Sequence, residues 1–131
     1  AAPASDFVLG DAAECGETGW TGAPSSANGS FHVPAGLAID GLGRIFASDY
    51  FNNRVQLFTS LGDYDRKIGT ELDTPHPTAV GVFDIVTGSG ADEIHYAAFV
   101  YVLVPELNRI VRYISKEHEA LNSEEIPPPL D

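Results

Sequence analysis

The stretch Phe31-His32-Val33-Pro34-Ala35-Gly36-Leu37-Ala38-Ile39-Asp40-Gly41-Leu42-Gly43-Arg44-Ile45-Phe46-Ala47-Ser48-Asp49-Tyr50-Phe51-Asn52-Asn53-Arg54-Val55-Gln56-Leu57-Phe58 decides the fold class. Short apolar runs alternate with turn residues, and no run is long enough for a helix of ordinary length. Asp40-Gly41-Leu42-Gly43 reads as a tight turn, because its glycines take positive φ without steric cost. Tyr50-Phe51-Asn52-Asn53 reads as a second turn, since Asn tolerates the left-handed region. Ser60-Leu61-Gly62-Asp63 makes a third, and Tyr64-Asp65-Arg66-Lys67-Ile68 follows as an outer strand. The pattern predicts strands over 35–40, 44–49, 54–58 and 64–68, joined as an antiparallel meander.

A repeat extends this pattern along the chain. Asn53-Arg54-Val55-Gln56-Leu57-Phe58 matches Asn108-Arg109-Ile110-Val111-Arg112-Tyr113 at a spacing of 55, and Ile45-Phe46-Ala47 then falls on Val100-Tyr101-Val102. Upstream, Gly36-Leu37-Ala38 matches Gly81-Val82-Phe83 only at a spacing of 45. The second unit therefore carries an insertion, placed near residues 87–93 in Thr87-Gly88-Ser89-Gly90-Ala91-Asp92-Glu93. Three regions result: a Gly- and Ala-rich segment over 1–30 with Phe7-Val8-Leu9 as an outer strand, two units over 31–69 and 75–115, and an acidic tail over 116–131 ending in Pro127-Pro128-Pro129.

Composition narrows the partners. In 131 residues, seven Lys and Arg stand against 19 Asp and Glu, a formal net charge of −12. Such a chain is repelled by nucleic-acid phosphates and anionic lipid, which excludes both from the expected partners. The 13 Gly and nine Pro suit short strands and many turns. The longest apolar run, Ala97-Ala98-Phe99-Val100-Tyr101-Val102-Leu103-Val104, stops at Pro105 and reads as a buried strand rather than a membrane span. Cys15 is the single cysteine, which forbids an intrachain disulfide and leaves an inert thiol, an interchain bridge or an attachment point. The small residues Ala1-Ala2-Pro3-Ala4-Ser5 resemble the product of signal-peptide cleavage, so an exported, periplasmic or extracellular location is expected.

The first unit resembles an NHL repeat, the blade of a family of mostly six-bladed β-propellers. The residues that carry the resemblance are Phe31, Pro34, Gly36, Asp40, Gly43, the strand-ending Asp49, Asn53-Arg54-Val55 and Phe58. The second unit keeps Asn108, Arg109, Ile110 and Tyr113, but Val104 stands where the strand-ending Asp is expected. The fold expected is thus all-β, with antiparallel four-stranded blade-like meanders of a partial propeller. Each landmark also has a structural role. Asp40 accepts hydrogen bonds from its own turn. Asp49 and Arg54 face each other across a hairpin, where a bidentate carboxylate–guanidinium pair fits. Phe46, Phe58, Tyr101 and Tyr113 supply packing between sheets.

Catalytic signals are weak. His32, His76, His95 and His118 show no metal-ligand spacing, although His32 and His76 each precede an inner strand and metal-binding lyases of the resembled family use channel histidines. Ser89 lacks the spacing of a nucleophile elbow. Asp63, Asp65, Asp92 and Glu93 read as solvated turn acids rather than a calcium loop. Asn28-Gly29-Ser30 is a glycosylation sequon. No cofactor motif is present: heme attachment through Cys-x-x-Cys-His needs more cysteines than the chain has.

Two or three blades cannot close a ring, so their end faces and edges need cover from a partner protein or from further copies of the chain. The expected function is a non-catalytic, exported interaction or scaffolding subunit within a larger assembly. The resemblance implies an extracytoplasmic redox complex as one setting, with a multiheme cytochrome as partner. The alternative is a propeller-type lyase or hydrolase whose channel site is completed by other chains.

Overall fold

The computed structural model describes residues 24–115 together with Leu9. Cys15, Trp20, His118, the remainder of the Phe7-Val8-Leu9 strand and the acidic tail over 116–131 lie outside the described residues. The chain folds as two antiparallel sheets. Sheet A contains β1 (Pro34–Ile39), β2 (Ile45–Asp49), β3 (Arg54–Phe58) and β4 (Tyr64–Ile68), in that order. Sheet B contains β5 (Ala79–Thr87), β6 (Ile94–Val104) and β7 (Arg109–Ile114). Among the described residues sheet B has three strands, where the repeat led to an expectation of four.

The two units share their central hairpin. Asp49 pairs with Arg54, Phe46 with Leu57 and Ile45 with Phe58; at a spacing of 55, Val104 pairs with Arg109, Tyr101 with Arg112 and Val100 with Tyr113. Each hairpin turns through a short 3₁₀ segment, Tyr50–Asn52 or Pro105–Leu107. Each then closes on an Asn at φ 54°, ψ 43°, Asn53 or Asn108. This left-handed geometry is the reason for asparagine at both positions.

The first strands correspond at a different spacing from the one the glycines suggest. Leu37 pairs with Ala47, and its counterpart Val80 pairs with Val102, so β1 and β5 are related by 43 positions rather than 45. Val33 and His76, also 43 apart, both have positive φ, at 65° and 48°. Each precedes a proline, Pro34 or Pro77, which is the true common landmark. Matching Gly36 to Gly81 shifts the strand by two residues, which preserves its facing and so goes unnoticed in the apolar pattern. The insertion also does more than expand a turn. It lengthens β5 to nine residues and β6 to 11, against six and five in β1 and β2. The added ladder reaches across the β1–β2 turn, where a side chain on Gly41 would collide with His95.

Alternation within the strands sets which faces meet. Phe46, Val55 and Leu57 of sheet A pack on Val80, Ala97, Val100, Val102 and Val104 of sheet B, with Ala38, Val82, Val111 and Tyr113 at the margins. The other face of sheet A is covered within the chain over β2 and β3, while Leu37 and Ile39 of β1 stay exposed on it. Phe31 packs on Phe58 at 5.8 Å between ring centroids, Tyr64 approaches Phe58 from the side, and Leu9 shares a shallow groove with Phe31, Pro34, Leu37 and Ala47. Ile45, Ala47 and Phe58 are consequently buried.

The sheets come closest where β1 meets β5. A Cβ on Gly36 would lie 2.7 Å from the Ala79 Cα. Backbone is on the receiving side, so the contact cannot be relieved by a rotamer change. Gly36→Ala is expected to lower the unfolding free energy by about 1–3 kcal/mol, read from a denaturant midpoint at unchanged slope.

Candidate interaction surface

Most landmark residues form a framework rather than a site. Asp40 is buried, and its Oδ1 accepts from the Leu42 and Arg44 amides at 3.0 and 2.9 Å. Its Oδ2 accepts from Arg44 Nε at 2.7 Å and from the Ala97 amide at 3.3 Å, which ties the lengthened β6 to sheet A. Gly43, at φ 78°, completes that turn. Pro34 and Gly36 lie on β1, where they set the strand's entry and its approach to β5.

Asp49 and Arg54 meet as expected, but not in bidentate fashion. Arg54 Nε donates to Asp49 Oδ2 at 2.8 Å, while Nη1 and Nη2 donate to the carbonyls of Ser26, Ala27 and Ser30 at 3.1, 3.0 and 2.9 Å. The guanidinium is drawn away because the 24–31 segment presents three carbonyls that the interior must satisfy. Asp49 Oδ1 accepts from the His32 amide at 2.8 Å, and Oδ2 also accepts from Asn52 Nδ2 at 2.9 Å. Gln56, which sequence reasoning missed, completes the network. Its Nε2 donates to Ser30 O at 2.6 Å, and its Oε1 accepts from the Gly29 amide at 2.9 Å. The only available signal was its place two residues after Arg54 on the same strand face. In the second unit Val104 replaces Asp49 and Val111 replaces Gln56. Arg109 is exposed and reaches the Leu72 and Asp73 carbonyls at 3.3 Å.

His32 and His76 come together around an aromatic group. Their rings lie 4.8 and 5.6 Å from that of Phe51, and His76 stacks on Tyr50 at 4.7 Å. His76 Nδ1 lies 2.9 Å from Glu106 Oε2, whereas His95 pairs with Glu93 at the far hairpin. Among the described residues no three His, Cys, Asp or Glu side chains converge on a metal position. Asp65 is paired with Arg66, and Ser89 is exposed in the β5–β6 turn. No helix among the described residues is long and apolar enough to cross a membrane.

A cleft of about 310 Å³ opens between the sheets, lined by Phe46, Leu57, Arg66, Lys67, Val100 and Tyr113 among others. The Tyr113 hydroxyl is buried and has no hydrogen-bond partner among the described residues. Burial, with a smaller contribution from the Asp73 charge and opposed by Arg109, raises its pKa above the ordinary 10.0.

An exposed apolar surface lies on the outer side of sheet B. Phe83 of β5, Phe99, Tyr101 and Leu103 of β6, and Ile110 and Arg112 of β7 share that side by register. Phe83 is 55 % exposed, Leu103 40 % and Ile110 63 %. Phe83 and Phe99 lie 6.3 Å apart, and the Arg112 guanidinium sits 4.6 Å from the Phe99 ring centre as the one charge among these strand positions. In sheet A the register positions of Tyr101, Leu103, Ile110 and Arg112 are held by Phe46, Ser48, Val55 and Leu57. All four are buried there, and the three apolar ones pack on sheet B. One chain thus buries this type of face once and leaves it open once. Among the described residues no strand takes beside β7 the place that β4 takes beside β3. The chain matches no family model and no curated protein sequence.

Two stability measurements check the framework. Arg54→Met leaves Asp49 buried without its cation and deprives three carbonyls of a donor, a loss of about 3–5 kcal/mol, whereas Arg109→Met at the exposed counterpart costs about 0.5 kcal/mol. Tyr113→Phe removes a buried hydroxyl that has no partner among the described residues, so no loss is expected at neutral pH. The raised pKa means that the folded chain holds this proton to higher pH than the unfolded chain does. Stability is therefore lost as pH rises past 10.0, and Tyr113→Phe should overtake the parent chain in denaturation midpoint there.

Proposed function

We propose that the chain is a non-catalytic interaction subunit that docks on a partner protein through the outer side of sheet B. The observation that carries this reading is the apolar face of Phe83, Tyr101, Leu103 and Ile110, left open in a chain that buries the corresponding face of sheet A. Contiguous exposed apolar surface of this kind is a feature of protein–protein contacts rather than of free monomers. On the outer side of sheet A, Ile45, Ala47 and Phe58 are buried, while Leu37 and Ile39 of β1 stay exposed. The NHL resemblance supports a scaffold built from blade-like sheets. An exported setting beside a redox partner such as a multiheme cytochrome rests on that resemblance alone.

Replacing Phe83 by p-benzoylphenylalanine and irradiating cells that express the chain at native level should yield one discrete heavier product. The same substitution with Leu103→Lys and Ile110→Lys should abolish that product, while the denaturant midpoint moves by less than about 1 kcal/mol because the sites are exposed. Absence of any discrete crosslinked product from the Phe83 position overturns the reading.

A further inference from the structure

We propose that the partner supplies an extended strand to the outer edge of β7, beside which no described strand lies, with an acidic side chain placed opposite Arg112. This rests on the reading that the outer side of sheet B is a docking site, and it specifies the chemistry of what docks. The template lies within the chain. β3 carries β4 along its outer edge, with Val55 opposite Ile68, Gln56 opposite Lys67 and Leu57 opposite Arg66. β7 has the same register on β6 as β3 has on β2, yet its outer edge has no neighbour among the described residues.

The other edges are less suited to receive a strand. β4 carries Asp65, Arg66 and Lys67 in a five-residue strand, the charged and short edge that discourages pairing. β1 and β5 lie against each other. β7 presents Ile110, Val111 and Ile114, residues that favour an extended ladder.

Charge then selects the occupant. Arg112 stands where β3 has Leu57, and it is exposed on the outer side of the sheet. A strand in the β4-like place puts a side chain directly opposite it, where an acid is favoured and a second cation is opposed. Backbone hydrogen bonds along the edge supply affinity, and this pair supplies selectivity.

The test uses the purified chain and two fluorescein-labelled peptides, Val-Glu-Val-Glu-Val-Glu and Val-Lys-Val-Lys-Val-Lys, at 150 mM salt, where the Debye length of about 8 Å confines the comparison to charges in contact. Fluorescence anisotropy should show the Glu peptide binding about fivefold more tightly than the Lys peptide, the effect of one favourable against one unfavourable cross-strand pair. Arg112→Glu, at an exposed position, should reverse the order. An N-methylated Glu peptide should not bind, and hydrogen exchange should slow at residues 109–114. Equal binding of the two peptides, an order unchanged by Arg112→Glu, or slowed exchange on β1 or β4 instead of β7 overturns the strand proposal. If the peptides fail while Phe83 still crosslinks to a protein, the strand proposal falls and docking through the face stands. If both fail, docking falls with it.

Discussion

Both hairpins depend on one backbone constraint, an asparagine held in the left-handed region after a 3₁₀ turn. Asn53 and Asn108 fix which residues of the flanking strands lie opposite each other. Because side chains alternate with a period of two, that register also decides which side chains point to which face. With Asn53 in place, Phe46, Val55 and Leu57 share the side that meets sheet B. With Asn108 in place, Val100, Val102 and Val111 share the side that meets sheet A. A slip of one residue in the first hairpin would turn Arg54 and Gln56 toward sheet B, and one in the second would turn Ile110 and Arg112 toward sheet A in place of Val111. Asn53 also holds the connection between the sheets, since its side-chain oxygen accepts the His76 amide and its carbonyl accepts the Thr74 hydroxyl.

On this shared backbone the two units differ in what fills the side away from the next sheet. In the first, Asp49, Arg54 and Gln56 bind the carbonyls and amides of residues 26–32, and the polar network makes an end cap of a segment that has little apolar material of its own. In the second, Val104 and Val111 occupy the Asp49 and Gln56 positions and pack directly on sheet A. The substitution of valine for the polar pair is thus not decay of a repeat. It marks the difference between a sheet face covered by a loop and one covered by another sheet.

How much of this was legible in the sequence follows from the kind of signal each feature leaves. The strands of sheet A were readable because Gly and Asn turns delimit them and apolar residues alternate between the turns. The spacing of 55 between hairpins was readable because Asn-Arg followed by an apolar residue recurs. The relation of β1 to β5 was misread because a two-residue shift keeps the same side chains on the same face, and only the Val33–Pro34 and His76–Pro77 backbone geometry separates the alternatives. The bidentate pairing was misread because carbonyls 27 residues or so away in sequence compete for the guanidinium. Gln56 was missed for the same reason: a polar residue in an alternating strand looks solvent-facing until something covers it. Which apolar face remains open is the least legible feature. The alternation of Phe99, Tyr101 and Leu103 against Val100 and Val102 identifies two apolar sides, and only the packing tells which is covered.

The open face and the acidic composition bear on each other. A chain of net charge −12 repels its own copies at distances where apolar contact has no reach, because burial acts only once water leaves the interface. The face formed by Phe83, Phe99, Tyr101, Leu103, Ile110 and Arg112 carries a single charge, the Arg112 cation. Repulsion therefore opposes association between copies, while the face remains suited to an uncharged or locally acidic surface. An apolar face on a chain otherwise rich in carboxylates is in this way compatible with solubility and with selective docking. Under the docking proposed above, the same distribution disfavours cationic partners at the contact, although the rest of the molecule would attract them, so the location of Arg112 weighs more on that proposed partner than the net charge does.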